Sequence, residues 1–175
     1  MSNLGTIWRN SNCRIAILAA VVFSLDQLTK WFVVRSIGTF DEKILIKGFF
    51  KFVHWGNTGS AWSLFSGNNG ALAMVALFAL VALVLTRQHF DSHTLVGQIA
   101  FGLIFGGIAG NLADRLFRGE VVDFIRFYLD QRGGREIGFP AFNVADSAIC
   151  TGVGLIFLIT WRNEHRPGKP AESAS

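Results

Sequence analysis

The stretch ALAMVALFALVALVLT at residues 71–86 decides the fold. It runs for sixteen residues without a charge, and it lacks the polar stripe of a helix that faces water on one side. Three more apolar blocks lie at residues 15–34, 94–113 and 144–161. With their ends extended by a few residues, all four approach the ~20 residues of a bilayer-spanning helix. The pattern favours membrane spans over buried helices of a soluble bundle.

Composition supports a membrane α-helical fold with four transmembrane helices. The chain is 51% hydrophobic and 16% charged, whereas soluble domains carry about 25% charged residues. One domain is predicted over residues 1–166, followed by a disordered tail at residues 167–175. Residues 36–69 are rich in aromatic side chains and contain a strand-like run at 44–55, so they predict a small β-structured lobe. The predicted spans cover about residues 15–35, 70–87, 94–114 and 143–162.

The N-terminal region resembles a secretory signal in one respect, because Arg9 and Arg14 precede the first apolar block. No A-x-A cleavage site follows, so an uncleaved first span is expected. Cys13 and Cys150 imply neither a disulfide framework nor a metal site. The net charge of +4 comes without a basic run, which argues against nucleic-acid binding and suits a phosphate-rich membrane surface. The distribution of Lys and Arg does not settle the topology.

Ionisable residues inside apolar spans are costly and are therefore candidates for function. Asp26 and Lys30 lie four residues apart on one helix face. They could form a self-contained ion pair, or they could support a nearby site. The third span ends with three polar residues, Asn111, Asp114 and Arg115. They could form a hydrogen-bonded network at the membrane interface, or they could orient a catalytic carboxylate. The row of glycines every four residues in the same span predicts close helix packing: Gly102, Gly106 and Gly110.

Two acids follow the third span. Asp123 lies in the apolar sequence VVDF, within a segment whose pattern fits either a strand or an interfacial helix. An isolated Asp in a loop is usually solvated or a helix cap. Asp146 lies three residues after Asn143, where the simplest explanation is a capping box at the start of the fourth span.

Hydrolytic sites of other kinds have little support. His54 and Ser60 lack a third triad member and a nucleophile-elbow motif. His89 and His93 have metal-compatible spacing, but the chain contains no H-E-x-x-H motif, which argues against zinc chemistry.

Five short motifs in this order resemble the bacterial lipoprotein signal peptidase family, also called signal peptidase II. They are DQLTK at 26–30, NTGSAWS at 57–63, GNLADR at 110–115, VVDF at 121–124 and FNVADS at 142–147. Ser60 stands where the family usually has Ala, and the glycine-rich loop at 131–138 is long for the family. The second departure concerns substrate access and not the chemistry.

The resemblance implies an aspartyl endopeptidase of the inner membrane that needs no metal or organic cofactor. Its substrate would be a diacylglyceryl-modified prolipoprotein held in membrane lipid, cleaved just before the lipidated cysteine. Both termini and the tail would be cytoplasmic, and the β-structured lobe would be extracytoplasmic. The implied catalytic pair is Asp123 and Asp146. The implied substrate-binding or supporting residues are Asp26, Lys30, Asn57, Gly59, Asn111, Asp114, Arg115, Asn143 and Ala145.

Two other classes remain open from the residues alone. Intramembrane Asp and Lys also mark ion paths in transporters, although four spans without duplicated halves argue against one. A membrane scaffold would use the same polar residues only to join helices.

Overall fold

Four long helices make up most of the fold. The computed structural model describes residues 10–59, 68–90, 92–131 and 135–165, so the predicted tail at 167–175 lies outside the described residues. Each of these four helices is long and apolar enough to cross a membrane. The predicted four-helix membrane fold is confirmed. The helices are α1 (Ser11–Ser36), α2 (Asn69–Thr86), α3 (Leu95–Phe117) and α4 (Val144–Glu164).

Each helix begins after a polar N-cap residue. The side chains of Asn10, Asn68, Thr94 and Asn143 accept hydrogen bonds from backbone N–H groups in the first turn of α1, α2, α3 and α4, respectively. Such a cap satisfies a donor that has no partner within the helix. Local sequence therefore sets where each apolar block becomes helical.

Helix α3 lies at the centre of the bundle, and α1, α2 and α4 all contact it. A Cβ atom built on Gly106 would lie 2.6 Å from the carbonyl oxygen of Ala19 and 2.7 Å from Cβ of Val22. Only glycine permits this approach of α3 to α1, so the predicted packing role of the glycine row is confirmed at this position.

Helix α2 lies at the edge of the bundle. Only 6% of its apolar window is buried within the protein, against 61% for α3. Its exposed side chains include Met74, Phe78 and Leu85. A helix that is apolar on every side and yet unburied is suited to lipid, which agrees with the membrane reading of residues 71–86.

A four-stranded antiparallel sheet, in the order β1-β2-β3-β4, lies at one end of the bundle. The predicted lobe between the first two helices supplies β1 and β2, joined by a turn in which Gly48 has a φ of 73°. The lobe is larger than predicted, because two strands between α3 and α4 complete it. The strands are β1 (Glu42–Ile46), β2 (Phe50–Asn57), β3 (Val121–Asp130) and β4 (Glu136–Gly138).

The sheet is attached to the helices through a small apolar core. Val33 and Ile37 at the end of α1 pack against Val122 and Phe124 of β3. The segment that the sequence left open between strand and helix is thus strand β3, and its first residues lie against the membrane bundle. This contact fixes the start of β3 beside the polar ends of α1, α3 and α4.

Candidate active site

A buried charge cluster joins α1 to α3. The Nζ atom of Lys30 lies 2.7 Å from Oδ2 of Asp26 and 2.7 Å from Oδ2 of Asp114, and all three side chains are fully buried. The Nε2 group of Gln27 donates to both carboxylates at 3.2 Å. Buried charges persist only when paired and hydrogen-bonded. Asp26 and Lys30 form the ion pair that was one of two interpretations of their spacing, and this pair extends to a second carboxylate.

The charge cluster is linked to the start of α4 by two paths. Lys30 Nζ donates to Oδ1 of Asn111 at 3.1 Å, and Nδ2 of Asn111 donates to Oδ1 of Asp146 at 2.7 Å. The backbone N–H of Ala145 donates to Oδ1 of Asp26 at 3.0 Å. The cluster therefore holds both the backbone and the carboxylate of the first turn of α4.

Asp146 takes part in the capping box predicted from its spacing. The side chain of Asn143 accepts from the N–H of Asp146 at 2.9 Å, and Oδ2 of Asp146 accepts from the N–H of Asn143 at 3.2 Å. The second oxygen of Asp146 remains for Asn111. Capping explains one oxygen of this carboxylate and leaves the other facing the polar residues of α3.

Asp123 is not the solvated loop residue that its isolated position suggests. It lies on β3 with 4% of its surface exposed. Its Oδ2 accepts from Nδ2 of Asn57 and its Oδ1 accepts from Nδ2 of Asn143, both at 2.8 Å. The backbone N–H of Gly59 fixes Asn57 by donating to its Oδ1 at 2.9 Å.

The environment of Asp123 favours its protonated form. Burial, followed by the negative charge of Asp146, raises the pKa of Asp123 to about 7. Hydrogen bonds from Asn57 and Asn143 oppose this rise because they stabilise the ionised carboxylate. The two aspartates thus interact, although they lie on different elements.

Asn143 connects the two acids directly. Its side-chain amide donates to Asp123, and its backbone and side chain both bond to Asp146. The same amide nitrogen also lies 3.2 Å from Oδ1 of Asn111. One asparagine therefore sets the relative positions of β3 and the first turn of α4.

Arg115 adds a cation beside the acids. Its Nη1 group donates to the carbonyl of Asn111, one turn away on the same helix. The charges of Asp146 and Asp123 both attract the guanidinium group. Within the described chain its buried Nε has no hydrogen-bond partner, which is uncommon for a buried donor.

All the residues predicted for the site are brought together, and Gln27 is a neighbour that was not among them. Gln27 donates to Asp26, Asp114 and the carbonyl of Gly110. Its place beside Asp26 in the DQLTK motif was the available signal.

His54 and Ser60 are the other hydrolytic candidates in the sequence. His54 is buried, with its Nδ1 2.9 Å from the carbonyl oxygen of Ile37, while Ser60 lies outside the described residues. In the ranges that the structure describes, no group of three or more His, Cys, Asp and Glu side chains is arranged to hold a metal ion.

The fold and the site together define a multi-pass membrane protein with a polar centre where its helical bundle meets a small sheet. The family model for signal peptidase (SPase) II matches residues 18–162. A lipoprotein signal peptidase from Azoarcus sp. is 41% identical over 91% of this chain and 89% of the relative. Another from Halalkalibacterium halodurans is 37% identical over 87% of this chain and 95% of the relative.

A solved structure has the same architecture. It is described as a bacterial membrane enzyme determined by the in meso method at 2.3 Å resolution, and it aligns with a TM-score of 0.76 and 30% identity. The alignment covers 91% of this chain and 94% of the other. The chain belongs to the signal peptidase II family and is a membrane-spanning protease.

Proposed function

We propose that this protein removes signal peptides from diacylglyceryl-modified prolipoproteins, cleaving just before the lipidated cysteine with Asp123, Asp146 and water. The observation that carries the proposal is the double contact of Asn143 with both carboxylates. The names of the relatives support the substrate class. The aspartyl mechanism and the cleavage position rest on the geometry and on the motif resemblance.

The chemistry requires one ionised and one protonated carboxylate. Two neighbouring acids do not both ionise easily, so they share a proton near neutral pH. The ionised acid takes a proton from water as the water attacks the scissile carbonyl. The protonated acid polarises that carbonyl and then helps to protonate the departing amine. The proton belongs to the pair, and the raised pKa of Asp123 keeps it available near pH 7.

The surrounding residues have separate roles in this proposal. Asn57 and Asn143 hold Asp123, while Asn111 holds Asp146. Arg115 offers its unpaired Nε to a substrate carbonyl. Asp26, Lys30 and Asp114 anchor the start of α4 through Ala145 and Asn111. This arrangement preorganises the acids before substrate arrives.

The proposed orientation puts both termini in the cytoplasm and the sheet on the outer face of the inner membrane. Because side chains alternate between the two faces of a strand, Asp123 and Phe127 lie on the same face of β3. Phe127 stacks on Phe50, with their ring centroids 5.1 Å apart. Aromatic rings suit the membrane interface. The lobe would clamp the substrate peptide there while the diacylglyceryl group stays in lipid.

The direct test uses purified protein in lipid nanodiscs and one prolipoprotein in two forms. The diacylglyceryl-modified form should lose its signal peptide, seen as a gel shift, and mass spectrometry should find the new N-terminus at the modified cysteine. The unmodified form is the control and should be cleaved at least tenfold more slowly, because it lacks the acyl chains that bind in lipid. Equal cleavage of the two forms, or a different cleavage position, would contradict the proposed specificity.

The pH dependence of cleavage provides a second test. Because burial and Asp146 raise the pKa of Asp123 to about 7, the pair keeps its shared proton below that pH and loses it above. The value of kcat/KM should therefore fall as pH rises beyond about 7. Asn57→Ala removes a donor that stabilises the ionised form, so its descending limb should move to higher pH. A rate that rises steadily from pH 7 to 9 is incompatible with a shared-proton pair.

A further inference from the structure

The sheet contains a second buried charge, on the face opposite Phe50. Lys51 of β2 is 2% exposed, and its Nζ lies 2.7 Å from Oε2 of Glu42 and 2.8 Å from Oε2 of Glu136. It also lies 4.5 Å from the centroid of the Tyr128 ring. One amine therefore joins β1, β2, β3 and β4.

The amine of Lys51 stays charged in this setting. Burial by itself lowers the pKa of Lys51, but hydrogen bonds to Glu136 and Glu42 outweigh burial, and the pKa is raised. Only the amine is buried, since the side chains of Glu42 and Glu136 are 43% and 34% exposed, and an ion pair with exposed partners is a weak source of net stability. An apolar residue would fill the same position at least as well. Specific positioning of the two acidic partners is a better explanation for the charge.

Glu136 lies at the start of β4, which is short and exposed. All three residues of β4 are exposed, so apolar burial contributes little to holding the strand. Its backbone pairs with β3 from Asp130 to Tyr128. The Nζ group of Lys51 donates to both carboxylate oxygens of Glu136, to Oε1 at 2.9 Å and to Oε2 at 2.8 Å. Arg126 is a more distant partner, 3.7 Å from Oε2.

The segment after β4 leads directly to the site. Phe139 donates from its N–H to the carbonyl of Phe127, and Phe142 exchanges backbone hydrogen bonds with Ile125 at 3.0 and 2.8 Å. The next residue is Asn143, which contacts both aspartates. Six residues, held by hydrogen bonds along β3, thus connect Glu136 to Asn143.

We propose that Lys51 is a positioning residue for the peptidase reaction: by binding Glu136 it fixes the segment that carries Asn143, and so the separation of the two acids. The inference rests on the proposed function of Asp123 and Asp146. Glu42 provides an internal contrast, since it binds the same amine but belongs to β1, which does not lead to Asn143. A shift of about 1 Å in a catalytic group can cost on the order of a hundredfold in rate, so a modest loosening of this segment has a measurable effect.

The experiment compares Lys51→Met and Glu136→Ala with the matched control Glu42→Ala, by single-turnover cleavage in nanodiscs. Lys51→Met and Glu136→Ala should each lower kcat about tenfold with little change in KM. The double variant should be no slower than the slower single variant, because both act through one contact. Glu42→Ala should stay within twofold of the wild type. A loosened Asn143 donates less well to Asp123, so the descending pH limb of both slow variants should also move to higher pH.

The outcomes separate the two proposals. If the wild type does not cleave the lipidated substrate, the proposed function fails and the role of Lys51 fails with it. If the wild type cleaves but all three single variants keep normal kcat and pH profiles, the proposed role of Lys51 is wrong. Equal losses of kcat in all three single variants, with equal drops in melting temperature, would mean that Lys51 and its two acidic partners have only a general structural role, and the proposed positioning role would be wrong.

Discussion

Replacing Asp123 by Asn is expected to slow signal-peptide cleavage by roughly a thousandfold while the chain remains folded. General acid–base groups contribute about 10² to 10⁴ in rate, and an amide can neither share the proton nor take one from water. Single-turnover gel shifts in nanodiscs measure the rate. Thermal unfolding of the same sample measures folding. Modest destabilisation is also expected, because the new NH2 group faces a donor from Asn57 or Asn143.

Asp130→Asn is the matched control for this prediction. Asp130 lies at the other end of β3 and is exposed, so the same chemical change there removes a carboxylate far from Asn143. Its rate should remain within twofold of the wild type. Cleavage by Asp123→Asn at more than a tenth of the wild-type rate would exclude Asp123 from the chemistry. If Asp123→Asn does not fold, the same measurement is made on Asp123→Glu. That variant keeps a carboxylate but displaces it, so its cleavage should also be slow.

The helical part of the fold was predictable because the rule behind it is local. A membrane span must be apolar along its whole length, so residues 71–86 can be recognised as a span from their own sequence alone. The sheet was only half predictable. The strand-like run at 44–55 indicated β1 and β2, but β3 pairs with β2 across the whole of α2 and α3. Pairing at that distance in sequence leaves no local pattern.

The same distinction explains what the sequence revealed of the site. The capping box of Asn143 and Asp146 is a local pattern, and the structure contains it. Asp123 looked like an ordinary loop acid, because its hydrogen-bond partners are distant in sequence. They are Asn57 of β2 and Asn143, the N-cap residue of α4. Only the ordered motifs of the family indicated that it belongs beside Asp146. The sequence did not indicate Lys51, since Glu136, the partner that links it to the site, lies 85 residues further along the chain.

Lys30→Met is expected to have the largest effect on stability. The substitution leaves the carboxylates of Asp26 and Asp114 buried without their shared cation. Removing one partner of a buried charge cluster costs about 3–5 kcal/mol, and for a chain of this length that corresponds to a drop of roughly 10 °C in melting temperature. Cleavage should be lost as well, because Asn111 loses the donor that orients it toward Asp146.

Two further variants distinguish buried charge from lost packing. Lys43→Met makes the same change at an exposed position in the sheet and should leave the melting temperature within about 1 °C, since exposed charges contribute little. Adding Asp114→Asn to Lys30→Met removes one of the uncompensated charges and should restore part of the lost stability. No recovery in the double variant would mean that the Lys30 side chain matters for its volume. The cluster would then support the start of α4 by packing alone, and its charge would not explain why Asp146 faces Asn111.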